Sequence, residues 1–398
     1  MTSPWIVDRR TDLALIFGGA VLTLAVPPLA WARPGWVPAM YWIWLLAFDG
    51  THIWATYSRT YLDREFWRTD RRLLLWSLLT FAPPVLAIAV LLASGGTWAV
   101  EAVLAFVPVW SIYHNVRQHY GYVSLYDRKG GTPADTHRVH KWVLYLGLYA
   151  PFLHYILVNP ANRIVAGRAA APTGWLGALE TWVPVAVFAA AAVWLTAHHL
   201  GLRRRGVASS RPALVFVGSC LVAYGALYFG WSRGEPYFAG ARTPTQQSMV
   251  VVMAATVFHN LQYHAVVWHH NRRRYAGGPE ARLRYGPAAA VNRNVFAYLG
   301  AALAFTVVVY AASAWFTTDF PSFRGWTPEP AIVPVAFIVW WGLSFHHFYL
   351  DQKILKENQL QPKECADFLA NAAEFMSSPR RSDKQSSNRS PAGACRNP

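Results

Sequence analysis

Apolar stretches of roughly 20 residues, the length an α-helix needs to cross a hydrocarbon core about 30 Å thick, begin near Leu13, Val37, Leu73, Trp98, Val139, Leu176, Ala213, Ser248, Val295 and Ile332. A chain with that many cannot fold around one water-soluble core. In lipid each backbone N–H and C=O must be satisfied internally, so such stretches span as helices. The sequence therefore predicts an all-α, polytopic integral membrane helical bundle of about ten transmembrane helices. The first stretch follows Asp8, Arg9, Arg10 and Asp12 and shows no small-residue cleavage site before the next, so it reads as a retained helix rather than a signal peptide. Composition agrees, with 54% hydrophobic and only 14% charged residues.

Basic residues set the orientation of such a bundle. With ten spans and the N-terminus inside, the connections Arg64 to Arg72, Arg128 to Lys141, Arg203 to Arg211 and Arg272 to Arg293, together with both termini, face the cytoplasm. Only Arg33, Arg163, Arg168, Arg233, Arg242 and Arg324 face out, and Arg59 and Arg117 lie within spans. This is the pattern of a multi-pass protein of the inner (cytoplasmic) membrane. The lipid bilayer then accounts for the net charge of +16, since positive loops meet anionic headgroups, and nucleic acid is not expected as a partner. Cys220, Cys365 and Cys395 are too scattered for a disulfide framework or thiolate site. One transmembrane domain is expected over 1–356, and the polar, Ser- and Pro-containing 357–398 as a disordered cytoplasmic tail.

Of the 14 histidines, those in four apolar segments lie close to the ends that run into Arg and Lys. The segments are FDGTHIWATYSRTYLD from Phe48, YHNVRQHYGYVSLYDRK from Tyr113, FHNLQYHAVVWHHNRRR from Phe258 and FHHFYLDQK from Phe345. Ionisable side chains inside apolar spans are costly and mark function, so a shared metal centre at one membrane depth is expected. The segments also resemble one another. Tyr113-His114-Asn115-Val116 with His119 parallels Phe258-His259-Asn260-Leu261 with His264, and Thr60-Tyr61-Leu62-Asp63 parallels Phe348-Tyr349-Leu350-Asp351. Two such pairs point to an ancient duplication or to two half-sites with the same chemistry.

At about 100° per residue, Asp49, His52, Thr56, Thr60 and Asp63 form one polar stripe. His259, Tyr263 and His270 share a face from which His264 and Asn271 are turned away, and His114, Gln118 and Gly121 share a face with His119 offset. His347 and Asp351 are four apart, a spacing that suits a ligand and its orienting carboxylate. Imidazole and carboxylate suit iron, and also zinc, copper or manganese, and so many histidines favour a dinuclear centre. The expected metal ligands are His52, His114, His119, His259, His264, His269, His270, His346 and His347. Asp63 and Asp351 are expected as further ligands or orienting groups, with Asp49 a third carboxylate to test. Asn115, Gln118, Asn260 and Gln262 are candidate partners of the ligands. Tyr263 is a candidate proton donor; Tyr61, Tyr120 and Tyr349 fit that role or an interfacial aromatic belt. Arg59 and Arg117 either snorkel to headgroups, neutralise site carboxylates or bind an anionic substrate head. Asp63, Asp351, Arg117 and Tyr263 make up the catalytic set, and His137, His140, His154, His198 and His199 are read as solvated groups at helix ends.

His114-x4-His119, His264-x4-His269-His270 and His346-His347 resemble the boxes of membrane histidine-box oxygenases and desaturases, the fatty-acid desaturase and alkane hydroxylase type, with wider spacing and more spans. The resemblance covers four short segments. It implies a non-haem centre of two iron ions at the cytoplasmic helix ends, and a hydroxylase or desaturase acting on a hydrophobic lipid-like or terpenoid substrate. Multi-span carotene-cleaving oxygenases are a looser comparison. No GxGxxG motif leading into a helix and no CxxC pair is present, so electrons must come from an external donor such as a ferredoxin, cytochrome or reductase. Two other classes stay open: a b-type haem protein with paired axial histidines, and a metal- or proton-coupled transporter. Copper or zinc in place of iron, including zinc-assisted hydrolysis, also stays open.

Overall fold

Runs of Leu, Ala, Val and Phe uninterrupted by turn-forming clusters favour helix, and helices with their turns are the only regular elements among the described residues. The computed structural model describes residues 3–159, 174–231, 244–311 and 332–360. Long helices follow in chain order: α1 Arg9–Ala32; α2 as Val37–Trp44, a widened π turn Leu45–Asp49, and Gly50–Ser58; α3 Arg71–Ser94; α4 Trp98–Lys129; α5 Ala134–Val158; and α6 Gly174–Arg204. They continue with α7 Arg211–Gly225, extended by Ala226–Trp231; α8 Pro244–Arg274; α9 Val295–Phe305, extended by Thr306–Ala311; and α10 Ile332–Leu360.

Among the described residues, 8 of these helices are long and apolar enough to cross a membrane, all except α2 and α9. The chain is that of a membrane protein. Helix α9 is apolar but short, and the second half of α2 carries Asp49, Thr51, His52 and Thr56 among its apolar residues. Large apolar side chains such as Trp76, Leu86, Leu92, Trp175 and Val193 project outward, while His, Asp, Thr and Asn are buried within. That inverts the pattern of a water-soluble protein.

Contacts group Met1–Gln352 as one unit and Lys353–Pro398 as a second, of which only the last turns of α10 are described. Of the tail expected over 357–398, residues 357–360 end α10 as helix rather than disordered chain, and the rest lies outside the described residues.

Close helix approach relies on glycine and on side-chain bonds to backbone carbonyls. A Cβ on Gly19 would stand 2.8 Å from the Phe258 Cα, so only glycine lets α1 lie this near α8. Thr23 donates to the Ala254 carbonyl at 2.7 Å and Gln262 to the Ile16 carbonyl at 3.1 Å, fastening the same pair. Gly50 does the same for α2 and α9, where a Cβ would sit 2.3 Å from a Thr306 methyl. Helices α3, α4 and α10 share an apolar cluster of Ala87, Ile88, Ala99, Val103, Phe337 and Phe345, with Trp110 stacked on Phe345 at 4.9 Å. Buried Asp12 accepts the Ile6 and Val7 N–H groups and the Tyr126 hydroxyl, tying the N-terminal segment to α4.

Candidate metal centre

Helices α2, α4, α8 and α10 each bring one buried histidine to a common point: His52, His114, His259 and His347. Their rings form a four-sided array. Centroids are 4.4 Å apart for His52–His259, 4.8 Å for His259–His114, 5.1 Å for His114–His347 and 4.4 Å for His347–His52. One ligand atom from each lies within 4.8 Å of the others.

The hydrogen bonding shows what this array lacks. Both ring nitrogens of His52, Nε2 of His114, Nδ1 of His259, Nε2 of His347 and Oδ2 of Asp351 are buried without a hydrogen-bond partner. A neutral imidazole carries one N–H, and a buried polar atom left unpaired costs roughly 1–3 kcal/mol. Several such atoms facing each other are repulsive unless a cation sits among them. The donor set is four neutral nitrogens and a neighbouring carboxylate oxygen, which suits a first-row metal ion.

His347 is already turned for ligation. Thr56 Oγ1 and the Tyr263 hydroxyl both donate to Asp351 Oδ1, at 2.6 and 2.5 Å. The Thr56 proton is thereby committed, so the 2.8 Å contact with His347 is a bond donated by Nδ1–H to Thr56. That leaves the Nε2 lone pair facing the array, 3.6 Å from Asp351 Oδ2. Bonds of this kind to the far nitrogen fix tautomer and ring angle in metal sites. The Tyr263 ring packs on His52 at 4.5 Å, Phe348 stacks on His114 at 4.6 Å, and Gln118 donates to the His259 carbonyl at 2.8 Å, holding α4 against α8.

The other expected ligands go elsewhere. His119 donates from Nε2 to Tyr224, whose own proton is given to the Ala255 carbonyl. His264 donates to Thr51 and accepts from Tyr298, at 3.0 and 2.9 Å. His346 lies among Ser77, Tyr61 and Tyr57, at 2.8, 3.0 and 3.0 Å. His264 and His346 thus have both ring nitrogens bonded to protein groups, and His119 has its Nε2 bonded while its Nδ1 is without a partner. His269 and His270 sit half-buried beside Arg272, Arg273, Arg274 and Arg59 near the basic end of α8.

Asp63 is a helix cap. It accepts from the Glu65 and Phe66 N–H groups at the start of Arg64–Thr69, from Arg274 at 2.9 Å and from Tyr275 at 3.0 Å. Burial first, then the Asp63 charge, pushes the Tyr275 phenol well above its ordinary pKa, so it stays a donor. Asp49 accepts from Tyr310 at 2.6 Å and from Asn260. Arg117 turns to Tyr145 at 3.2 Å and to the Tyr120 ring, away from the array.

Thr56 was visible in the sequence only as one member of the polar stripe, one turn after His52. Its role as the group joining His347, Tyr263 and Asp351 depends on α8 and α10 being adjacent, which no single segment shows. A second cluster joins histidines expected to be solvated. Buried Asp127 accepts from His137 at 2.8 Å and from His140 at 3.0 Å, and His140 Nε2 lies 2.8 Å from His199 Nε2. His198 meets Thr136 at 2.9 Å. His140 and His154 are fully enclosed, the latter bonded to the Thr181 carbonyl, so interfacial solvation does not describe them. With Asp127 ionised and the rings neutral, each contact in this cluster has one donor and one acceptor, and no cation is required.

Comparison with protein-family models, curated proteins and solved structures found no match.

Proposed function

We propose that the protein is a multi-pass enzyme of the inner membrane, with ten spans and both termini in the cytoplasm, that oxidises a hydrophobic lipid-like or terpenoid substrate at one iron ion. His52, His114, His259 and His347 would hold the ion, with Asp351 beside them. The observation that carries this reading is the set of buried, unpartnered nitrogens turned toward one another. When bound, iron would supply dioxygen activation and one-electron chemistry, with electrons delivered from an external donor on the cytoplasmic side. The two-iron expectation narrows to one because, among the described residues, His119, His264 and His346 are hydrogen-bonded to Tyr, Thr and Ser instead.

The chain's own residues define the rest. Thr56 and Asp351 keep the proton of His347 on Nδ1. The Tyr263 hydroxyl, bonded to Asp351, holds a proton beside the array. Phe348, Trp110 and Phe345 form an apolar wall on the α4–α10 side that excludes water and favours an apolar substrate. Haem fits this space poorly, because a macrocycle placed between any facing pair of rings would run into the other pair. The test is metal analysis and an optical spectrum of detergent-purified protein expressed with ample iron and haem precursor. About one non-haem iron per chain is expected. A stoichiometric Soret band, stoichiometric zinc, or no metal at all would overturn the reading.

A further inference from the structure

Arg59 lies just past the last turn of α2, where the backbone leaves the helix at φ −115° and ψ 0°. Its relative exposure is 8%. No hydrogen-bond or ion-pair partner for its guanidinium occurs among the described residues. The two nearest acids are engaged: Asp63, four residues on, by Arg274 and Tyr275, and Asp351 Oδ1 by Thr56 and Tyr263. Arg59 is nonetheless an electrostatic neighbour of Asp351, Tyr263, Tyr122 and Tyr298, and of His270. Its charge is thus felt by a carboxylate and a phenol beside the histidine array and by a histidine near the basic end of α8.

A guanidinium largely withdrawn from water and without a counter-ion favours an anion beside it. Its planar fork matches carboxylate and phosphate oxygens two at a time. His52 and Arg59 are seven residues apart along α2, roughly 10 Å by helical rise. An anion on Arg59 would thus sit on the order of 10 Å from the array.

We infer that Arg59 anchors the anionic head of the substrate, which is a long-chain amphiphile ending in a carboxylate or phosphate monoester whose apolar chain reaches the histidine array. The array as the place of reaction rests on the metal-centre reading; the anion site itself does not. Substrate enters head-last from the bilayer, its charge stays toward the cytoplasmic side, and the oxidised carbon lies several bonds from the head.

The test uses the full chain in detergent, with titration calorimetry of oleate, oleyl phosphate and oleyl alcohol against wild type, Arg59→Gln, Arg59→Lys and His347→Ala, and metal content measured in each. Wild type should bind one of the two anions at least tenfold more tightly than the alcohol, and which anion wins tells carboxylate from phosphate. Arg59→Gln should lose that preference while keeping its metal, Arg59→Lys should regain part of it, and His347→Ala should lose metal but keep the preference. Equal affinity of wild type for the alcohol and both anions would overturn the inference, a result that needs no variant to fold. So would an Arg59→Gln protein that binds the anions as wild type does, with metal lost, which would make Arg59 the counter-charge of Asp351. Absence of metal from wild type, with the head-group preference intact, would remove the metal-centre reading alone.

Discussion

Whether a buried histidine is a ligand depends on what its nitrogens already touch. His114 and His119, His259 and His264, and His346 and His347 read as equivalent neighbours in the sequence. Five residues along a helix turn the side chain by about 140° and one residue by about 100°, so one member of each pair faces the array and the other faces a different helix. Which member faces inward depends on the neighbouring helices and is not legible within one segment. The His347–Asp351 pair was legible because both residues sit on one helix. Thr56→Val should weaken metal binding by about 10–100-fold, as loss of a bond to a ligand's far nitrogen typically does, and Thr56→Ser should stay near wild type. Chelator competition measures both; unchanged affinity in Thr56→Val would remove Thr56 from the site. His346→Ala should behave in the opposite way. It should keep full metal content but lose about 1–3 kcal/mol of stability, because Ser77, Tyr61 and Tyr57 are left with an unpaired site. Loss of metal in His346→Ala would return that residue to the ligand set.

At the level of helices, hydropathy exposes the long elements because a stretch of about 20 apolar residues has few other ways to satisfy its backbone in lipid. It says nothing of how closely two helices lie. That spacing is set at Gly19 and Gly50, which the sequence shows merely as glycines in apolar runs. The π turn at Leu45–Asp49, just before His52, likewise leaves no mark in residue type. Phe258, against which Gly19 packs, directly precedes His259, so the α1–α8 distance bears on the array. Gly19→Ala should force the two backbones apart, costing about 1–3 kcal/mol and lowering the thermal midpoint together with metal content. Gly218→Ala, where an added Cβ meets nothing within 4 Å, is the control. Equal midpoints for the two variants would show that the α1–α8 approach is not tight in the folded protein.

Across the whole molecule, the four ligand helices are distant in sequence, and His52 and His347 are brought together only when the last described helix packs against the second. A metal held by all four therefore closes the bundle from α2 to α10. An unfolded chain has no such array, so binding selects the folded state and adds RT ln(1 + [L]/Kd), about 2.7 kcal/mol when free ion is at 100 times Kd. Removing the ion should accordingly lower the unfolding temperature of wild type, and restoring it should raise it again. His347→Ala should start near the chelated wild-type value and show no response to chelator. His119→Ala, which removes a histidine bonded to Tyr224 rather than one facing the array, should unfold earlier than wild type and still respond fully. Scanning fluorimetry with and without chelator on these three proteins decides the matter. A His347→Ala protein that responds as wild type does would mean that the stabilising ion binds somewhere other than the four-histidine array.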